Sequence, residues 1–197
     1  MIDGYISPWW QAALIPPRWD VCGIKVNAIS VWHMYALTNI ENVYIVGGVP
    51  NRDAAAGLLM ICGTDMAGCK ALFHDARTSA RAMRAVSKAI ARVPWEDLDG
   101  ACRDFVASCT RIPVVKVVVK RHGEDVDQKY FASPLHRLIV MCLCSQYRMT
   151  LDEAWNHPYA DARCMFNVWR ESEKGDDSIA DERWQRIADA STKRGAA

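Results

Sequence analysis

The sequence lacks most of the features that announce a reaction. Gly47-Gly48 precedes Pro50 and is not followed by Gly-Lys-Ser/Thr, so it is no phosphate-binding loop, and neither a dinucleotide fingerprint nor G-x-S-x-G occurs. The histidines (His33, His74, His122, His136 and His157) show no H-x3-H or H-E-x-x-H spacing. Cysteine is abundant, at eight residues, but Cys22, Cys62, Cys69, Cys102, Cys109, Cys142, Cys144 and Cys164 contain no C-x-x-C. The gaps from Cys62 to Cys69 and from Cys102 to Cys109 match no common structural zinc site. Most of these thiols sit among Leu, Ile, Val and Ala, where reduced cysteine behaves as a small hydrophobe in a cytosolic protein. A metal site would have to be assembled in three dimensions, for instance from Cys69, His74 and distant groups. Pairing Cys164 with His157 as a nucleophile and base has no better support, because an apolar helix usually keeps a thiol inert. No catalytic, cofactor-binding or metal-binding residue is assigned, and a non-enzymatic protein is expected.

Charge of one sign is missing too. The formal net charge of 197 residues is +1, which gives no global pull towards nucleic acid or an anionic membrane. The run Leu138 to Cys144 is too short to span a bilayer. The start, MIDGYISPWW, has neither a basic n-region nor a long apolar h-region, so a secretory signal is not expected. There is no internal repeat and no low-complexity segment.

What is present is the composition of a folded domain, with 51% hydrophobic and 24% charged residues. The pattern is helical. Ser30 caps a helix carrying Val31, Trp32, Tyr35, Leu37 and Ile40; a turn on Gly47, Gly48 and Pro50 follows. Asn51 or Asp53 then starts a second helix with Leu58, Leu59, Ile61 and Cys62. Residues 66–93 read as one long helix, with a break near Asp75 to Thr78 as the alternative, and Trp95 to Ile112 as another that Pro113 stops. Ser133-Pro134 opens a nearly all-apolar helix over 135–147 that should be buried. Thr150 to Glu153 form a capping box, and a helix after Pro158 buries Tyr159, Ala162, Cys164, Met165, Phe166 and Trp169 before Gly175. A last amphipathic helix is predicted over 178–190. Residues 1–20 read as an irregular arm pinned by Trp9, Trp10 and Trp19, and 21–29 as a short hairpin or extended lead-in.

The fold class is therefore mainly α: a multi-helix orthogonal bundle, as one core or two helical subdomains, with a short β hairpin or extended segment. Its divisions are 1–112, an N-terminal helical subdomain with the aromatic arm; 113–132, a linker or short strand; 133–190, a C-terminal helical subdomain; and 191–197, a tail. Within the first, Arg77, Arg81, Arg84, Lys88 and Arg92 fall at steps of four, three, four and four, which aligns five cations on one helix face. That face is either solvated or offered to an acidic partner or a nucleic-acid backbone. No aromatics are interleaved with it, which disfavours base stacking. Eight Trp against four Phe is unusual, since Trp serves both as core filler and as an interface anchor. Residues 135–170 also follow the element order of a helix-turn-helix, with Asp161, Arg163, Asn167 and Arg170 as the polar groups of a recognition helix, though without a basic surround.

Two segments carry a resemblance. Residues 29–62, ISVWHMYALTNIENVYIVGGVPNRDAAAGLLMIC, are similar to a pattern of helix, polar turn with a Gly pair, and second helix introduced by a polar residue and Asp. Residues 149–178, MTLDEAWNHPYADARCMFNVWRESEKGDDS, are similar to one in which Ala-Trp and a Pro precede a helix and Gly-Asp follows. Both patterns resemble tail assembly chaperones of tailed phages and prophages. The resemblance implies a non-enzymatic morphogenesis protein of the host cytoplasm that holds the tape-measure protein soluble while the tail tube assembles around it. The tail tube protein is a further candidate partner, and a homo-oligomer is left open. On this reading Arg77, Arg81, Arg84 and Lys88 rim an apolar groove for partner helices, and Trp155 and Trp169 are structural or interface anchors. The alternatives are a small helix-turn-helix DNA-binding regulator and a structural head or tail protein of the virion.

Overall fold

A computed structural model describes residues 15–111 and 135–174. The predicted tail, the helix over 178–190, the segment 113–132, Pro113, Ser133-Pro134 and Gly175 lie outside the described residues, as do Trp9 and Trp10. The fold is mainly α, with nine helices among the described residues and one two-stranded antiparallel hairpin.

The hairpin pairs β1 (Arg18–Val21) with β2 (Ile24–Asn27) in a register that sets Trp19 opposite Val26 and Val21 opposite Ile24. Cys22 and Gly23 make the two-residue turn with φ of 53° and 84°, the left-handed pair that matches the twist of two short strands. The irregular arm predicted over 1–20 is corrected at its end, since the first strand begins at Arg18, while residues 1–14 lie outside the described residues. Trp19 is drawn into regular structure because its ring packs edge-on to Phe105 at 5.9 Å while its indole N–H donates to the Pro16 carbonyl.

α1 (Val31–Asn39) starts at Ser30, whose Oγ accepts the His33 N–H while His33 Nδ1 accepts the Ser30 N–H at 3.2 Å. Histidine thus takes the place usually held by Glu or Gln in a capping box. Its Nε2 donates to the Thr64 carbonyl at 2.7 Å, which fixes the neutral ring in the Nε2–H form. The predicted plain turn after Ile40 holds one more element, α2 (Val43–Val46), capped by buried Asn42, whose amide also donates to the Ala54 carbonyl. Asn51, rather than Asp53, caps α3 (Arg52–Cys62). Every residue from Ala55 to Cys62 is buried, as suits a central helix packed by α1, α2 and β2 on different sides.

The alternative of a broken helix over 66–93 is the one the structure takes: α4 (Met66–His74) and α5 (Ala76–Ile90) meet at Asp75, whose carboxylate accepts the N–H groups of Arg77 and Thr78. An N-cap in extended conformation cannot continue the helix before it. Arg52 donates to the carbonyls of Ile90 and Val93 and lies over the Trp95 ring, holding the end of α5. α6 (Trp95–Thr110) buries Leu98, Cys102, Phe105, Val106 and Cys109 as its spacing predicts, and α3 packs against both α5 and α6.

Beyond the undescribed segment come α7 (Leu135–Gln146), α8 (Leu151–Asn156) and α9 (Tyr159–Lys174). Full burial of the first was an overstatement. Ile139, Val140, Cys142 and Leu143 face inwards, but Met141 is 66% exposed and Leu135 is exposed as well, because a helix packed on one side keeps an outer face whatever its composition. The Val31 N–H donates to the His157 carbonyl and the Tyr159 N–H to the Ile29 carbonyl, so the α8–α9 turn is tied to the start of α1. Most buried apolar residues from Val21 to Phe166 form one cluster, with Ala160 and Cys164 in a small second one. No described helix is long and apolar enough to cross a membrane.

Candidate functional site

A cleft lies between α1 and α4. On α1, Trp32, Tyr35, Ala36 and Asn39 follow the three- and four-residue steps that align side chains on one helix face; on α4, Lys70, Phe73 and His74 do the same. The space they enclose is about 250 Å³. Lys70 Nζ sits 5.6 Å from the centre of the Trp32 ring, and Phe73 keeps 50% of its surface exposed. The Trp32 indole N–H is sealed from solvent and bears on the Cys69 sulfur outside ordinary hydrogen-bond geometry.

The α1 wall is braced from behind by aromatic rings. Trp155 on α8 meets Trp32 edge-on at 5.4 Å and Tyr35 at 5.7 Å; Tyr35 meets His136 at 6.0 Å, which in turn meets Tyr159. Burial, and then the Arg163 guanidinium nearby, hold His136 below the usual histidine range. Trp155 thus supports the cleft without lining it. Trp169 lies elsewhere, half-buried beside Phe166 at 5.7 Å.

Arg77, Arg81, Arg84 and Lys88 all lie exposed on α5, and among the described residues none of them makes an ion pair. Arg92 falls past the end of α5, so the aligned row on the helix holds four cations rather than five. Behind the row, Met83 and Val86 are half-buried and Ile90 is buried. None of the four lines the α1–α4 cleft, whose own cation is Lys70. Sequence reasoning missed Trp32, Tyr35, Lys70 and Phe73 as a group. The signal was available in the matched steps of two consecutive helical segments, but spacing cannot tell which two faces meet.

Buried thiols are held in their uncharged forms. Burial pushes the thiols of Cys109, Cys142 and Cys164 up to about 11 and that of Cys102 to about 12. Cys69 donates to the Ile61 carbonyl and touches Thr64 Oγ1, while His74 on the same helix is exposed. Three-ligand His, Cys, Asp or Glu groups are absent among the described residues. His157 Nε2 lies 2.7 Å from Asp161 Oδ2, an i,i+4 pair that occupies one polar group of the helix read above as a recognition helix. Of the others, Arg163 and Asn167 are half-buried, and Arg170 is exposed.

Compared with protein-family models, curated proteins and solved structures, the chain matches none.

Proposed function

We propose that the chain is a non-catalytic assembly protein that captures helical segments of a partner in the α1–α4 cleft. With the resemblance of residues 29–62 and 149–178, the partner is the tape-measure protein of a tailed phage, and the chain acts as its chaperone in the host cytoplasm before the tail tube closes. The observation that carries this reading is the cleft itself, whose aromatic walls are held in place by Trp155 and His136 while Phe73 stays half exposed. Its volume, about 250 Å³, falls below the roughly 300–1,000 Å³ typical of small-molecule sites and suits one large apolar side chain. Such a side chain projecting from a helix is the usual anchor of helix-in-groove recognition.

The test is co-expression of the tagged chain with the products of neighbouring genes, followed by mass spectrometry of what it retains. A long helical tape-measure-like protein should be recovered with the natural chain and lost with Phe73→Asp, an exposed position where the fold should tolerate the change. Retention of nucleic acid alone, or undiminished recovery with Phe73→Asp, overturns the reading.

A further inference from the structure

We propose that the α5 cations and the adjoining cleft recognise one ligand class, the acidic face of an amphipathic helix; this rests on the capture reading and specifies its partner. Three observations carry it. First, Arg77, Arg81, Arg84 and Lys88 extend over about 16 Å of helix, at steps of four, three and four residues. A partner helix with Asp or Glu at the same steps presents its carboxylates with the same rise per residue. Second, the row is unneutralised: the sequence from Ala76 to Val93 contains no acidic residue, and among the described residues the four cations make no ion pair. Third, the row and the cleft stand on consecutive helices: Asp75 alone separates α4, with Lys70, Phe73 and His74, from α5, and the two helices pack together. An apolar anchor in the cleft leaves the flanking acidic residues of the same helix facing Lys70 and the arginine row.

A single-stranded nucleic acid fits less well. Base binding needs free ring faces, whereas Trp32 and Tyr35 are already engaged by Lys70, Trp155 and His136, and only Phe73 is half exposed. The α5 face itself carries no aromatic residue.

The experiment measures fluorescence anisotropy of labelled probes with the full chain. The probes are an amphipathic helical peptide of about 18 residues, or ~27 Å, with leucine on one face and glutamate on the other, its lysine-for-glutamate copy, and a single-stranded DNA oligonucleotide. The acidic peptide should bind about tenfold more tightly than the lysine copy, the sum expected of a few exposed ion pairs. That gap should narrow as salt rises above about 0.1 M. Combining Arg77→Glu, Arg81→Glu and Arg84→Glu should reverse the preference, and combining Arg77→Gln, Arg81→Gln and Arg84→Gln should reduce it to the small part that Lys70 and Lys88 sustain, with circular dichroism unchanged. Equal binding of the two peptides, binding of neither, or tighter binding of the oligonucleotide than of the acidic peptide overturns the inference. Tape-measure capture undiminished by the triple reversal overturns it alone and leaves the capture reading standing. Failure of the natural chain to capture any tail protein overturns that reading, while the peptide preference remains measurable.

Discussion

Replacing His33 with alanine should cost more than any other single change near the start of α1, because the imidazole joins three segments from a site only 2% exposed. Its Nδ1 accepts the Ser30 N–H, its Nε2 donates to the Thr64 carbonyl, and Ala28 lies against the same ring. Removing the ring leaves the buried Ser30 N–H without its acceptor, at about 1–3 kcal/mol. Truncating a buried ring adds a cavity cost of about 2–4 kcal/mol. Thr64 adds little, since its carbonyl still accepts from the Asn27 amide at 3.0 Å. The sum, about 3–7 kcal/mol, is a large part of the ~5–15 kcal/mol that holds a typical domain together. Burial also keeps His33 below the ordinary histidine range, so the unfolded chain takes up a proton near pH 6.5 that the folded chain refuses. The contribution of the neutral ring is complete above that pH and is lost as pH falls towards the depressed folded value, by up to about 1.4 kcal/mol per pH unit. His136, depressed for the same reason, acts in the same direction. Urea melts followed by circular dichroism at about pH 7.5 and about pH 5.5 bracket this window. The natural chain should weaken on acidification and His33→Ala should weaken less steeply. A loss below about 1 kcal/mol, the worth of one ordinary hydrogen bond, or an unchanged pH dependence, refutes the reasoning.

Asn51→Ala removes the side-chain acceptor of the Ala54 N–H at the head of α3 and should lower stability by about 1 kcal/mol, read as a shift in urea midpoint at constant slope. Trp155→Ala withdraws the brace behind Trp32 and Tyr35; because the ring is only partly buried, the loss should be about 2–4 kcal/mol, below that of a fully buried tryptophan. A Trp155→Ala chain as stable as the natural one would instead make this residue an interface anchor. A thiol reagent at about pH 8 should react readily with half-buried Cys144, more slowly with Cys22, whose thiol burial and Asp97 push up, and with the other six only after unfolding. Early labelling of Cys62 or Cys102, read by peptide mass spectrometry, would contradict the burial assigned to them.

Local chemistry made much of the chain legible. Ser30, Asn51 and Thr150 all cap helices, because the side chain that satisfies an orphan N–H sits within three residues of it; the equally local cap at Asp75, which splits 66–93, was not read as one. The buried face of α6 and the burial of Leu58, Leu59, Ile61 and Cys62 on α3 followed from apolar residues in the same way, whereas the burial of every residue from Ala55 to Cys62 depended on the helices packed around α3. Two misreadings arose where the deciding contact was distant in sequence: Trp19 belongs to a strand because Phe105 and the hairpin receive it, and Met141 is exposed because α1, α8 and α9, which pack on α7, leave it uncovered.

The candidate site divides along the same line. That Arg77, Arg81, Arg84 and Lys88 share a face is a consequence of helical rise alone, and so was readable before any coordinates. That Trp32, Tyr35, Lys70 and Phe73 enclose a cleft, that Trp155 stands behind it, and that Arg92 leaves the row depended on how α1, α4 and α8 pack and where α5 ends. The residue pattern determined which side chains share a helical face. Which faces meet was decided by packing, since an apolar stripe specifies that it must be covered but not by what.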